Sequence, residues 1–404
     1  TISLGPAQKF ISAFTVVAVL AAAAGVADDF GDSLVLFAAG AITGSITIVT
    51  RRSFVRRERP PAARVIAGLA STWAALVVAG SVVYLASGTI TTVDEALFES
   101  AAGFSTVAAT TVDPESLGTS MSLFRAGTQF VGGLVGLLAG VVALPRTMKG
   151  NVQIPKGRGS RADRLVPDPA IGRQRVVRLY LALATACGFG YLITGLGARS
   201  SLIHALTTVS TGGFSDRADS LASAPGGAKV VATVFMLIGG MSFFALFWLL
   251  RGNHRRFVRS PELRIYLGII GVVTLALLRE VDGLSVGDAL FTAASASSTT
   301  GLAVIDWTGF PAGAMALLLV AVATGAMGAS AGSGLRVIRA WLLCLFAARE
   351  IRRQLDPKAV TLVRHGGRTL GGHHKLVLIK PAPTVQAVPL RKRIEWVKVR
   401  NQVL

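Results

Sequence analysis

The sequence predicts an all-α membrane protein with eight transmembrane helices and three re-entrant pore loops. Three observations carry that expectation. Hydrophobic residues make up 52% of the chain and charged residues only 15%, for a mean hydropathy of +0.59. Eight apolar runs approach the length of a bilayer crossing, and three short semi-polar segments each sit between two of those runs. An ordinary soluble domain is about a quarter charged, so a soluble enzyme is not expected, nor a disordered or collagen-like chain. The only cysteines, Cys187 and Cys344, lie in apolar stretches and imply neither a disulfide framework nor a thiolate metal site.

A hydrocarbon core of about 30 Å is crossed by about 20 helical residues. Runs of that order lie near 10–27, 33–50, 65–86, 123–144, 176–196, 228–250, 264–279 and 312–347, the last overlong and interrupted. The segments 94–104, 201–209 and 287–297 are too short to span and read as half-helices that enter and return on one side. The first run has no small-residue cleavage site and leads directly into the second, so no signal peptide is expected. Thr1 is not an initiator Met, so a few leading residues are expected to be missing.

Charge sets the orientation. The chain carries 41 Lys+Arg against 21 Asp+Glu, a net charge of +20. The N-terminus together with 51–64, 146–178, 251–264 and 336–400 holds 36 of the 41 basic residues, whereas the side bearing the short segments holds 14 of the 21 acids. The excess of cations on one set of loops places both termini in the cytoplasm and the half-helices at the outer face. Arg51, Arg52, Arg56 and Arg57 are therefore read as a topology signal, and no nucleic-acid partner is expected.

An internal repeat sets the architecture. Ala96-Leu97-Phe98 precedes Ser105-Thr106-Val107-Ala108; Ser201-Leu202-Ile203 precedes Ser210-Thr211-Gly212-Gly213; Ala289-Leu290-Phe291 precedes Ser298-Thr299-Thr300-Gly301, with the same spacing each time. Backbone carbonyls left unpaired at membrane depth are costly unless they line a polar path. Three such stretches meeting on one axis would offer rings of carbonyl oxygens that replace the water a cation sheds. Thr favours an extended backbone and adds a hydroxyl oxygen; Gly allows the dihedrals that turn successive carbonyls inward. Each half-helix aims its negative C-terminal end at the axis.

These residues resemble the TrkH/KtrB family of K+ transporters. "DEALFESAAGFSTVAATTVDPESL" (94–117), with Phe124-Arg125 and Gly132-Gly133 after it, is similar to the family's first pore loop and following helix. "HALTTVSTGGFSDRADS" (204–220) and "DALFTAASASSTTGLAVIDWTGF" (288–310) resemble the second and third loops. "GASAGSGLRVIRAWLL" (328–343) with "LDPKAV" (355–360) is similar to the stretch that forms an intramembrane gate. The resemblance runs from about residue 10 to about 370. It implies K+ uptake across the bacterial cytoplasmic membrane, by a channel-like pore or by symport, with K+ or Na+ as the transported ion and no covalent cofactor. It also implies a homodimer in the lipid bilayer on a cytoplasmic nucleotide-binding ring of the TrkA/KtrA type. The ion-binding positions carry over to Ser105, Thr106, Val107, Ala108, Ser210, Thr211, Gly212, Gly213, Ser298, Thr299, Thr300 and Gly301. The gate carries over to Gly328, Ala329, Ser330, Ala331, Gly332, Ser333 and Gly334, bordered by Arg336 and Arg339.

The implied division is an N-terminal hairpin (1–60), three helix–pore–helix repeats (61–160, 161–258 and 259–356, the last with the interrupted gate helix) and a basic tail (357–404). Three departures stand out. Ala108 occupies a position where the family has Gly, and a Cβ makes a positive φ costly by about 1 kcal/mol. The gate stretch is Gly-Ser-Gly before Leu335-Arg336, shorter than the family's Gly-Ser-Thr-x-Gly-Gly. A fourth repeat, which would complete a pseudo-fourfold pore, is not found, since 365–404 is polar and basic. The alternative to a conducting protein is thus a truncated, nonconducting or accessory three-repeat chain that needs a partner to complete the pore.

Asp113, Glu115, Asp216, Asp219 and Asp306 follow the three pore stretches. They read as a solvated rim and as a negative vestibule that concentrates cations, with Asp113 and Asp306 the foremost candidates. Arg336 and Arg339 read either as membrane-end anchors or as an electrostatic barrier under the pore. Arg349, Arg352 and Arg353 mark the cytoplasmic interface. His204 reads as a hydrogen-bonded packing residue in preference to a pH sensor, and His373-His374 lack further ligands at zinc spacing. Gly132, Gly136 and Gly140 read as a helix-packing face. No nucleophile–base constellation or phosphate-cradling loop is present, so no enzyme is expected.

Overall fold

The computed structural model describes residues 5–52, 62–140, 169–355, 363–365 and 368–370. The basic segments 53–61 and 146–168, and most of the tail 357–404 with His373 and His374, lie outside the described residues. The chain divides into two compact units, Thr1–Leu342 and Leu343–Leu404.

In the first unit, α1 (Gly5–Gly25) and α2 (Phe30–Arg52) form a hairpin, and α1 packs on α3 (Ala62–Ala86) and α5 (Thr119–Leu138). Between α3 and α5 lies the short α4 (Val93–Phe104), followed by an extended stretch and one 3-10 turn (Pro114–Ser116). The pattern recurs as α6 (Pro169–Ile193), short α7 (Ala198–Val209) and α8 (Gly226–Gly240), then as α11 (Pro261–Glu280), short α12 (Val286–Ser298) and α13 (Ala312–Thr324). Two small helices, α9 (Phe243–Leu250) and α10 (His254–Val258), connect α8 to α11, and α14 (Val337–Leu355) follows α13 after a break. The inner helix of one triplet packs on the short helix of the next, α5 on α7 and α8 on α12. Sequence repetition has therefore become spatial repetition.

All three half-helices read from the sequence match α4, α7 and α12, each boundary to within three residues. Local chemistry explains two of the starts. Ser285 accepts the Asp288 N–H at 3.1 Å as the N-cap of α12. In α4, Asp94 and Glu95 place negative charge on the first turn, where the helix dipole favours it.

The eight crossings were not all found as continuous helices. Among the described residues five helices are long and apolar enough to cross a membrane, or six if a bent pair counts as one. That pair is α8 and α9, which meet at 106° across Met241 and Ser242, so the run 228–250 is broken. Paired glycines close the first piece, and the β/extended backbone at Met241 and Ser242 ends its helical hydrogen bonding. The last run breaks as well, between Thr324 and Val337. Phe10–Gly25 and Ala312–Thr324 are apolar but shorter.

Burial separates the helices by role. In the apolar window of α5, 72% of residues are buried, against 17% in α2, so α5 is a central pillar and α2 a peripheral helix with Leu34, Phe37, Ile42 and Ile46 exposed. Each triplet has its own apolar cluster. The first centres on Phe14, Tyr84 and Phe124, the second on Tyr180, Tyr191, Met236 and Phe243, the third on Tyr266, Ile270, Leu277 and Leu318.

In the second unit the C-terminal part of α14 is followed by a departure from the all-α expectation. Two three-residue strands, β1 (Val363–His365) and β2 (Arg368–Leu370), pair antiparallel with Val363 opposite Leu370. Arg352 is exposed and Arg349 half-buried.

Phe124 is fully buried, its ring 5.9 Å from Phe14 and 5.6 Å from Tyr84. Phe124→Ala is expected to lower stability by about 3–5 kcal/mol, read as a fall in melting temperature in detergent micelles. A change below about 1 kcal/mol would contradict the packing of α1 and α3 on α5.

Candidate functional site

The short helices α4, α7 and α12 end in one and the same turn. Thr106, Thr211 and Thr299 hold φ of 53°, 55° and 59°, the left-handed region that β-branched residues seldom enter. In each case the threonine N–H bonds the carbonyl three residues back, at 3.1 Å (Gly103, Thr208, Ala296). The next N–H, of Val107, Gly212 or Thr300, bonds the carbonyl five back at 2.8–2.9 Å (Ala102, Thr207, Ser295). This is the Schellman closure, with Thr where Gly is usual. A left-handed non-glycine residue costs roughly 1–2 kcal/mol, and strain repeated at equivalent positions points to a functional constraint. The hydroxyls of Thr211 and Thr299 donate to the carbonyls of Ser210 and Ser298 at 2.6 and 2.7 Å, so their protons are already committed.

Beyond these turns the three stretches converge. Gly213 and Gly301 have φ of 79° and 82°. A Cβ built on Gly213 would press on the Thr300 carbonyl and lie 2.9 Å from the Ala108 Cβ, and one on Gly301 would collide with the same Ala108 methyl. The fourth residues of all three stretches are therefore mutual neighbours. Ala108 is absent from the positive-φ residues: its Cβ keeps the first stretch out of the conformation that the glycines adopt. The middle stretch is wholly buried, while Ser105, Val107 and Gly301 on the other two are exposed.

The inner helices reach the turns through paired glycines. A Cβ on Gly132 would strike the Phe104 backbone, and one on Gly133 would lie 2.9 Å from Ser210 Cβ. Gly239 and Gly240 stand likewise between Thr211 and Ser298. Among the described residues a Cβ built on Gly136 or Gly140 would meet nothing within 4 Å, whereas Gly132, in the same stripe, packs on Phe104.

Residues given no role in the sequence analysis, among them Arg125 of the quoted Phe124-Arg125 pair, hold the stretches from behind. On α5, Gln129 donates to the carbonyls of Val107 (3.1 Å) and Gly212 (2.9 Å) and accepts the Phe214 N–H (3.0 Å). One turn earlier Arg125, 2% exposed, pairs with the fully buried Glu99 at 2.8 Å, donates to Thr110 (2.9 Å) and lies 4.3 Å from the Phe214 ring centroid. Glu99 also accepts from the Thr110 hydroxyl and the Thr111 N–H. The signal was available: ionisable residues within an apolar span are rare and paired or functional.

The break between α13 and α14 lies against the third stretch. The Ser333 N–H donates to the Thr299 hydroxyl at 2.8 Å, and a Cβ on Gly332 would meet the Ser298 carbonyl at 2.6 Å. The loop is stitched into the α8–α9 break by Met327 N–H to Gly240 O (3.0 Å), Ala331 N–H to Gly239 O (3.2 Å) and Phe243 N–H to Ala329 O (2.9 Å). Glu262 accepts the Gly328 N–H at 2.5 Å. Arg336 donates to the carbonyls of Met327 (3.1 Å) and Ser330 (3.4 Å) and to the Ser330 hydroxyl, a loop staple that neither sequence reading of this residue included. Arg339 is exposed on α14.

The acidic residues divide. Asp113 and Asp306 are in loops; Asp113 caps the 3-10 turn, and the Thr308 N–H and hydroxyl hold the Asp306 carboxyl below the usual carboxylate range. Glu115 accepts the Ala218 N–H at 3.1 Å, tying the first outer loop to the second, and exposed Asp219 lies 3.4 Å from Arg217. Asp216 departs from the rim: it is half-buried, bonded to the Ser200 hydroxyl and 3.6 Å from His204. His204 itself is fully buried and bonds Ser200 O and Ser215 Oγ at 2.8 and 3.1 Å, as expected of a packing residue.

A family model described as TrkH, cation transport protein, matches residues 33–404. Among curated proteins, the Trk system potassium uptake protein TrkH of Vibrio parahaemolyticus is 30% identical over 315 residues, 74% of this chain and 65% of that protein. The protein of the same name from Escherichia coli K12 is 29% identical over 294 residues, 69% and 61% respectively. This chain thus spans about three fifths of that relative's length. The crystal structure of the potassium transporter TrkH from Vibrio parahaemolyticus superposes with a TM-score of 0.76 at 25% identity, covering 89% of this chain and 77% of that one.

Removing one member of the Glu99–Arg125 pair leaves a buried charge unmatched. Glu99→Gln or Arg125→Met alone is expected to cost about 3–5 kcal/mol, and the double substitution less than the two single costs together. Thermal unfolding of the three variants in micelles checks this, and strictly additive losses would contradict it.

Proposed function

The chain belongs to the TrkH family of cation transport proteins, and from that premise we propose that it carries K+ across the bacterial cytoplasmic membrane through a filter of backbone carbonyls. The observation that supports this reading best is the meeting of Ala108, Gly213 and Gly301 beyond three identical threonine turns. Main-chain oxygens of residues 105–108, 210–213 and 298–301 replace part of the hydration shell of a monovalent cation, and the number and field strength of those oxygens set K+ against Na+. The C-terminal ends of α4, α7 and α12 each add about half an elementary negative charge toward the same centre.

The other proposed parts follow from their positions. Asp113 and Asp306 form an outer vestibule that concentrates cations. The loop 328–334 forms the gate; its amide contact with Thr299 couples gate to filter, and Arg336 sets how readily it opens. Both termini are cytoplasmic, the protein is a homodimer, and a nucleotide-binding ring of the TrkA/KtrA type regulates it. The division into hairpin, three repeats and tail is the proposed domain plan.

A second reading, in which the pore conducts only when a further pore segment is supplied, rests on the exposed flank at Ser105, Val107 (47% exposed) and Gly301. Uptake in bacterial cells stripped of their own K+ systems separates the two. Rescue by this chain alone favours the first reading; rescue only beside a four-repeat relative favours the second.

Gly301 sits at φ 82° against Ala108, so any side chain there must distort the third stretch. Gly301→Asp in the conducting form is expected to abolish K+-over-Na+ discrimination in flux measurements. Unchanged discrimination would remove residues 298–301 from the filter.

A further inference from the structure

Behind the three stretches the units are not alike. Three residues before the paired glycines, the first unit has Gln129 on α5 and the second has Met236 on α8, both fully buried. The orientation of the Gln129 amide is fixed by its partners, because the Val107 and Gly212 carbonyls can only accept and the Phe214 N–H can only donate. One side chain thus ties the first stretch to the second through three hydrogen bonds. The first stretch is also the one that lacks glycine, and Ala108 leaves the backbone course taken at Gly213 and Gly301.

We propose that Gln129 is a positioning residue for cation selectivity. Its amide sets the separation of the Val107 and Gly212 carbonyls and aims them, supplying to the first stretch the restraint that a positive-φ glycine supplies to the other two. Each carbonyl keeps a second lone pair, so the engaged oxygens remain able to face an ion, but in one fixed direction. Without the amide, the Val107 carbonyl and the buried Gly212 carbonyl and Phe214 N–H lose this partner, and the first stretch is free to shift along the second. Discrimination between ions of similar charge and different radius then falls, because it depends on how many oxygens reach the ion and how firmly they are held. This inference rests on the carbonyl-filter reading given above.

The test uses the full chain purified in detergent, with KCl and NaCl titrated separately and binding read by calorimetry and by cation-dependent melting. Gln129→Met keeps the volume and removes the amide; the ratio of K+ to Na+ affinity is expected to fall about tenfold, the worth of one well-made hydrogen bond. Gln129→Asn keeps an amide one methylene shorter, and its ratio is expected to fall less. The melting temperature without added monovalent cation reports folding separately, so if the Met variant does not fold the Asn variant carries the test. A folded variant with an unchanged ratio, or with both affinities lowered equally, overturns the proposal and reduces Gln129 to packing. Wild-type protein that binds K+ no better than Na+ overturns the filter reading itself, a result distinct from either variant's.

Discussion

The rest of the structure depends on a single constraint: a helix that stops among apolar neighbours must satisfy or use the carbonyls at its end. Here it is met three times by one device, a left-handed threonine that closes two carbonyls and leaves the following residues extended. Because the closures are alike, the stretches beyond them emerge alike and can meet. The paired glycines at 132–133 and 239–240 exist to let the inner helices pass close to those closures, and the break from Gly325 to Arg336 packs beneath the third.

Equivalence stops there. The first two stretches are joined through Gln129 and braced by Glu99 and Arg125, whereas the third is tied to the loop 328–334 by Thr299 and Ser333. A buried ion pair contributes little net stability when complete and is costly to break, so its value here is in fixing where Thr110 and Thr111 leave the first stretch. The half of the site bearing the amide and the ion pair is thus rigidly held. The half bearing the loop 328–334 is held by backbone hydrogen bonds and the Arg336 staple.

Much of this was legible in the sequence because it is periodic. The spacing from Leu97, Leu202 and Leu290 to the Ser-Thr pairs located the half-helices, and Ala108 marked the stretch that departs. What was missed is aperiodic. In the apolar run 228–250 Gly239-Gly240 permits a break but does not specify the 106° bend at Met241–Ser242, because a loop some 85 residues later in the chain docks into it. The role of Gln129 depends on the Gly212 carbonyl and Phe214 N–H of another repeat, and those of Glu262 and Arg336 on backbone groups of the loop at 327–330, which no local pattern names. Asp216 looked like rim because it follows the second stretch, yet the fold turns it inward onto Ser200 and His204. Arg125 was marked only by the resemblance that quoted it, and the polarity of Arg125 and Gln129 inside a crossing helix was the physical signal of their importance.

The central claim is that the three stretches share an ion. Anomalous scattering from crystals grown in Tl+ or Rb+ addresses it directly. The expected result is a peak on the axis between residues 106–108, 211–213 and 299–301, coordinated by main-chain oxygens. Ordered density for all three stretches with no anomalous peak between them would contradict it.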